Sequence, residues 1–120
     1  MKISFDFDGT ICVGSYIAGR YRSAYLFKLN QYIFSKIKEH KKKGDEIFLV
    51  TRRGKEDQKK TFDFLKENEI FYLFNHFYFL EGKFKGEMLN RLEIDIHYDD
   101  DKEEAQFIEA FGGKTKLILV

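Results

Sequence analysis

Two aspartates, Asp6 and Asp8, stand two residues apart where a short apolar run, Ile3 to Phe7, gives way to Gly9-Thr10. Three more, Asp99, Asp100 and Asp101, follow another such run, Ile94 to Tyr98. Residues i and i+2 of a strand share a face, so Asp6 and Asp8 point to one side if the extended geometry lasts that far. Carboxylates held so close repel each other, and with Asp99 they form a costly cluster at neutral pH unless a divalent cation or shared protons compensate. All-oxygen ligation suits a hard ion, and Mg²⁺ commonly takes one or two carboxylates while keeping waters and a substrate phosphate. The second carboxylate of the pair is then free for proton transfer. Thr51 ends the apolar run Ile47 to Val50, and Lys85 opens the segment Lys85-Gly86-Glu87-Met88-Leu89, from which its flexible stem could reach the same edge.

Taken singly, each feature has a plainer reading. Asp8-Gly9 is a common turn pair, Thr51 could cap a helix, Lys85 could be a surface lysine, and Asp99 to Asp101 could face a helix N-terminus. What argues for a site is their order along the elements. Ile3 to Phe7 reads as a buried strand; Val13 to Phe27, with no clean period, as a loop or small hairpin. Leu26, Leu29, Ile33, Phe34 and Ile37 recur at three- and four-residue spacings and predict an amphipathic helix that stops at Lys41-Lys42-Lys43-Gly44, its lysines a solvated helix end. A strand over Ile47 to Val50 and a helix from Lys55 to Asn68, with Phe62 and Leu65 inward, come next. Then come a strand near Phe77 to Leu80, a helix from Lys85 to Leu92, a strand from Ile94 to Tyr98, a helix from Lys102 to Phe111 and a strand from Lys116 to Val120.

This alternation predicts an α/β fold: a Rossmann-like, doubly wound, mainly parallel five-stranded sheet with helices on both faces. Ligands of such sheets bind beyond the C-terminal strand ends, near the point where strand order reverses. Asp6, Asp8, Thr51 and Asp99 all fall at those ends.

Composition bounds the rest. A chain of 120 residues suits one domain over its whole length, and 43% hydrophobic with 34% charged residues excludes a wholly disordered protein. Lys and Arg number 21 against 20 acids, so no overall field draws the molecule to nucleic acid or anionic lipid. A single cysteine, Cys12, no apolar stretch near Met1 and no run long enough to span a bilayer predict a cytoplasmic protein without membrane contact. Cys12 reads as a small buried residue; His40, His76 and His97 are too scattered for a zinc site, and His97 reads as a packed histidine.

Phe5-Asp6-Phe7-Asp8-Gly9-Thr10-Ile11 resembles the first motif of the haloacid dehalogenase superfamily, in its phosphatase and phosphotransferase branch. Ile47-Phe48-Leu49-Val50-Thr51 resembles its second motif and Ile96-His97-Tyr98-Asp99-Asp100 its acidic fourth; Lys85, ahead of Lys83, is the candidate for the third-motif lysine. The resemblance implies that Asp6 is a nucleophile forming an aspartyl-phosphate, with Asp8 protonating the leaving alcohol and then activating water. Thr51 would bind the transferring phosphoryl group and Lys85 would neutralise charge. Mg²⁺ would be held by Asp6, the backbone carbonyl of Asp8, and Asp99 helped by Asp100. Backbone groups after Asp6, at Gly9 and Thr10, would contact substrate. Asp8 itself points to phosphate ester hydrolysis, since family dehalogenases lack it and transport ATPases carry Thr there.

Only about 40 residues separate Thr10 from Thr51, and the next gap is similarly short, which leaves no room for the cap domain that many relatives insert. An open site is expected, for a bulky phosphorylated substrate or with a lid lent by a second copy in a homo-oligomer. The flap, Val13 to Phe27, carries Tyr16, Arg20, Tyr21, Arg22 and Tyr25; Arg20 and Arg52 are candidate substrate contacts, with Arg53 beside them. Sugar phosphates, nucleotides and nucleic-acid 3′-phosphates all remain candidate substrates, although the near-neutral charge gives nucleic acid little support. Two other readings stand beside the enzyme: a binding or regulatory domain of the same fold that no longer turns over, and a receiver-type signalling domain. The receiver reading needs an aspartate at the end of the third strand, where this chain has Leu80-Glu81-Gly82.

Overall fold

Ile47-Phe48-Leu49-Val50 is apolar at every position, as a strand buried on both faces must be. In the computed structural model, which describes residues 1–16 and 25–120, this run lies in the strand β4 (Glu46–Thr51). Its neighbours in a fully parallel five-stranded sheet are β1 (Lys2–Phe5) on one side and β5 (His76–Phe79) on the other, with β6 (Ile96–Asp99) and β7 (Lys116–Leu119) beyond β1, in the order β5-β4-β1-β6-β7. Alternation along β4 splits the core. Ile47 and Leu49 pack with Ile3, Phe5 and Tyr98 against Ile33 and Ile37 of α1 (Gln31–Lys42) and Leu65 of α2 (Gln58–Glu67). Phe48 and Val50 pack on the opposite side with Leu89 of α3 (Gly86–Arg91) and Ile108 of α4 (Glu104–Ala110). Helices therefore cover both faces, as the sequence predicted, in an α/β arrangement consistent with a Rossmann-like sheet. Among the described residues no helix is long and apolar enough to cross a membrane.

The stretch before α1 departs from expectation. Tyr25–Leu29 is not helical; it forms β3, paired antiparallel with β2 (Cys12–Tyr16) in a hairpin. Leu29 does reach the core, but from a strand, and the helix begins after Asn30, whose side chain accepts the N–H of Tyr32 at 3.1 Å. Periodicity alone could not separate these states, because Leu29 and Ile33 serve one core from two different elements. The described ends of the flap thus pair as antiparallel strands, in line with the hairpin reading, while Arg20, Tyr21 and Arg22 lie outside the described residues.

α3 and α4 meet at Gly86, where an added Cβ would stand 2.3 Å from the backbone of Phe107. Only hydrogen fits there, and the closeness lets Phe84 stack on Phe107 with ring centroids 3.9 Å apart.

Asp95 ties the edges of three strands together. Its Oδ2 accepts the Lys2 N–H at 2.8 Å and its Oδ1 meets Lys114 Nζ at 3.2 Å. The Lys2 hydrogen bond outweighs partial burial and holds this carboxyl below the usual range. Stability drawn from it is therefore complete above the unfolded-chain value of about 4 and is lost as pH falls through that value toward the folded one. Asp95→Asn should cost about 1 kcal/mol in urea unfolding at pH 7 and less as pH falls below about 4; a loss independent of pH would show that charge has no part in the clasp.

Candidate active site

Strand order reverses at β1, between β4 and β6, and the acidic residues converge there. The β1–β6 ladder pairs Phe5 with Tyr98 and is prolonged by the Asp6 N–H donating to Tyr98 O at 2.9 Å, which sets Asp6 beside Asp99. Beyond Asp6 the chain turns tightly: Thr10 N–H and Cys12 N–H both donate to Phe7 O, and Gly9 N–H to Cys12 O. Gly9 has φ of +82°, and a Cβ at that position would lie 2.0 Å from Asp100 Oδ2. The glycine thus meets two demands, a left-handed backbone and room for Asp100.

Asp6 is almost fully buried and held at both oxygens, Oδ1 by Lys85 Nζ at 3.1 Å and Oδ2 by the Thr10 hydroxyl at 3.1 Å. Lys85 Nζ also donates to Asp99 Oδ2 at 2.7 Å and lies 3.5 Å from Glu104 Oε2, while Glu104 Oε1 accepts the Lys85 backbone N–H at 2.8 Å. Of the two candidate lysines, Lys83 is exposed and Lys85 is the one that reaches the carboxylates. Burial alone would lower the Lys85 pKa, but the charges of Asp6 and Asp99 outweigh it and hold the ammonium above its ordinary value.

One ammonium faces three carboxylates, Asp6, Asp99 and the fully buried Glu104, and a fourth, Asp100, lies beside Asp6 and Asp99. The consequences differ by residue. Burial pushes Asp6 up to about 8, against Lys85 and with help from Asp99 and a hydrogen bond shared with Asp100. Burial also raises Asp100 and Glu104. Asp99 goes the other way: burial is outweighed by hydrogen bonds from His97 and Lys85, which hold it well below the usual range. A site that holds a buried acid protonated near neutral pH is short of positive charge. Ligand oxygens of Asp6, Asp99 and Asp100 lie within 4.8 Å of one another, and this all-carboxylate donor set fits a hard divalent cation.

Asp8 is placed differently. Its carboxylate is half exposed at the cleft and receives two hydrogen bonds from Arg53, Nε to Oδ2 and Nη2 to Oδ1, both 2.8 Å. The same guanidinium reaches Thr61 Oγ1 at 3.3 Å and lies 4.7 Å from the centre of the Phe7 ring. Arg52 is anchored on the opposite wall, with two N–H groups on Gly82 O at 3.1 and 2.9 Å and its guanidinium 4.0 Å above the Phe84 ring. Thr51 is buried at the end of β4; its Oγ accepts the Arg53 N–H at 3.1 Å, so its own hydrogen is left to donate. These residues, with Asp6, Lys85, Gly82 and Asp99 to Asp101, line one cleft of about 640 Å³.

Asp6, Thr51, Lys85, Asp99 and Asp100 are thus brought together as their sequence positions implied, with Asp8 at the rim. Gly9 and Thr10, expected to touch substrate, instead shape the turn: their N–H groups bond within it and the Thr10 hydroxyl is directed to Asp6. The Asp8 side chain, close in sequence to the three-carboxylate cluster, is paired with Arg53 outside it. Glu104, His97 and Ser4 were missed as parts of the site. The only hints were a Ser in the apolar Ile-Ser-Phe stretch, a His in Ile-His-Tyr, and the acid run that ends in Glu103-Glu104.

Gly9→Ala should displace Asp100, because the new methyl would occupy the space of its carboxylate. If the cluster binds Mg²⁺, its affinity, measured calorimetrically, should fall about tenfold or more; unchanged affinity would remove Asp100 from the candidate ligands.

No protein-family model matches this chain, and a comparison with curated proteins returns no match.

Proposed function

We propose that the protein is a Mg²⁺-dependent phosphomonoester hydrolase of the haloacid dehalogenase type, without a cap domain, working through an aspartyl-phosphate on Asp6. The observation that carries this reading is the convergence of Asp6, Lys85, Asp99 and Asp100 at the strand-order reversal, with a second aspartate, Asp8, two residues from the first and on the same cleft. A Mg²⁺ held by Asp6, the Asp8 backbone carbonyl, Asp99 and Asp100 would supply the positive charge the cluster lacks and screen a phosphate dianion. Lys85 neutralises Asp6 and the incoming phosphoryl group together. The Asp6 carboxylate attacks phosphorus, the P–O bond to the alcohol breaks, and Asp8 gives the departing oxygen its proton; Asp8 then takes a proton from the water that hydrolyses the acyl-phosphate. Thr51 donates its hydroxyl to a phosphoryl oxygen. Since Arg53 donates twice to Asp8, the general-acid role requires Asp8 to exchange that partner for the substrate, and Arg53 is then released to an anionic group.

A sugar phosphate, a nucleotide or a nucleic-acid 3′-phosphate would suit an open cleft, with a second copy as a candidate lid and the cytoplasm as its setting. The Arg53–Asp8 pair is also the one observation that favours the second reading, a binding domain that does not turn over, because it engages the proposed acid. Hydrolysis of para-nitrophenyl phosphate with and without Mg²⁺ decides between them. Mg²⁺-dependent release of nitrophenol supports the enzyme; a folded sample with no release above background supports the binder. A parallel panel of sugar phosphates, nucleotides and 3′-phosphorylated oligonucleotides selects the substrate class.

A further inference from the structure

Behind Asp99 runs a hydrogen-bonded chain that the reaction above does not use. Ser4 Oγ and His97 Nδ1 are 2.6 Å apart, His97 Nε2 and Asp99 Oδ2 2.8 Å, and Ser4, His97 and Asp99 are all completely buried. The residue types are those of a hydrolytic triad, but a nucleophile must be reached by substrate, and Ser4 lies inside the sheet. We infer that His97, held in one tautomer by Ser4, is the positioning residue that sets the orientation of Asp99 at the cation site; what Asp99 then does rests on the reading proposed above.

Of the two tautomers of a neutral ring, one suits the groups on both sides. A carboxylate accepts but does not donate, so Nε2 carries the hydrogen that points at Asp99. Nδ1 is then a bare acceptor, and the Ser4 hydroxyl donates to it. The other tautomer would set a lone pair against the carboxylate and leave Asp99 Oδ2 with Lys85 as its donor and no support from the ring. Geometry keeps the ring in place from both sides, since Ser4 and His97 are direct partners in the β1–β6 register and β1 runs directly into Asp6. With His97 and Lys85 Nζ both on Oδ2, Asp99 cannot rotate freely. Its Oδ1 accepts the Asp101 N–H at 3.0 Å and keeps a lone pair in reserve for a cation. Partners of this kind behind metal-binding carboxylates commonly change metal affinity 10- to 100-fold when removed.

The test has two independent readouts. Long-range ¹H–¹⁵N spectra of metal-free protein labelled at histidine should show His97, assigned by its disappearance in His97→Gln, protonated at Nε2 and bare at Nδ1, with the Nδ1 resonance moved in Ser4→Ala. Calorimetric titration with Mg²⁺ alone should show affinity about 10- to 100-fold weaker in His97→Leu and restored to within a few-fold in His97→Gln, whose amide N–H can reach Asp99. Should His97→Leu fail to fold, the Gln and Ser4→Ala variants carry the comparison, with an intermediate loss expected in Ser4→Ala. A ring protonated at Nδ1, or Mg²⁺ affinity unaltered in folded His97→Leu, overturns the inference. A wild-type protein that neither binds Mg²⁺ nor hydrolyses phosphate monoesters overturns the phosphatase reading instead, and the ring tautomer still decides whether the chain exists.

Discussion

Asp6→Asn is expected to reduce phosphomonoester turnover by on the order of 10³-fold or more while leaving the fold in place. The amide has no carboxylate oxygen with which to form an acyl-phosphate, so the covalent route is closed. It nevertheless matches the carboxyl in shape and can still accept from Lys85. Burial already pushes Asp6 up to about 8 in the absence of a cation, so the side chain the asparagine replaces is largely neutral at pH 7. Thermal unfolding in the presence of a chelator should therefore show the variant at least as stable as wild type, since asparagine is neutral without the proton that the buried acid must take up on folding. Turnover within tenfold of wild type, from a homogeneous folded sample, would falsify the nucleophile assignment.

Lys85→Met should do the opposite, removing both activity and stability. The ammonium sits between Asp6 at 3.1 Å and Asp99 at 2.7 Å, with Glu104 Oε2 at 3.5 Å, and all of these side chains are buried. Its loss leaves buried acids facing one another without a counter-charge, a change that costs about 3–5 kcal/mol. Methionine fills the stem's volume, so the loss reports charge more than packing. The pH dependence follows in sign. Without Lys85 the folded-state pKa values of Asp6 and Glu104 rise further above those of the unfolded chain, so the deficit relative to wild type grows as pH increases, on top of the share from Asp99, which is held well below the usual range and is already ionised at pH 5. Denaturation curves at pH 5 and pH 8 measure this directly. A variant equally stable at both, and no weaker than wild type, would show that the carboxylates are balanced by something other than Lys85. If the folded cluster binds Mg²⁺, the ion should recover part of the lost stability, because a ligand of the folded state alone shifts the unfolding equilibrium.

Much of this was legible in the chain because it is local. Ile3 to Phe5, Ile47 to Val50 and Ile96 to Tyr98 are short runs bounded by turn residues or acids, and the apolar helix stripes between them have no other place to be buried than on a sheet. Asp6, Thr51 and Asp99 could be assigned to strand ends for the same reason: each is the first polar residue where an apolar run stops, or next to it. Leu26 and Leu29 misled because an apolar residue every three or four positions is equally compatible with a strand followed by a helix. The choice was made by hydrogen bonding to Cys12–Tyr16, which is not written in the stretch itself. Glu104 and His97 were passed over for a related reason. An acid near a helix start and a histidine in a strand each have ordinary explanations until the element packed against them is known.

By itself the sequence determined the kinds of residue present, their order along the chain, the alternating α/β pattern and the pair of aspartates on which the chemical argument rests. Tertiary structure alone decided which groups share a proton or a charge. Ser4 and His97, 93 positions apart, become neighbours through strand pairing, and Lys85 is joined to Asp6 across 79 positions through the packing of α3 on the sheet. Arg53 takes hold of Asp8 across 45 positions. Electrostatic coupling and hydrogen bonding act over a few ångströms in space, so residue order constrains such partnerships only through the fold that brings them within reach.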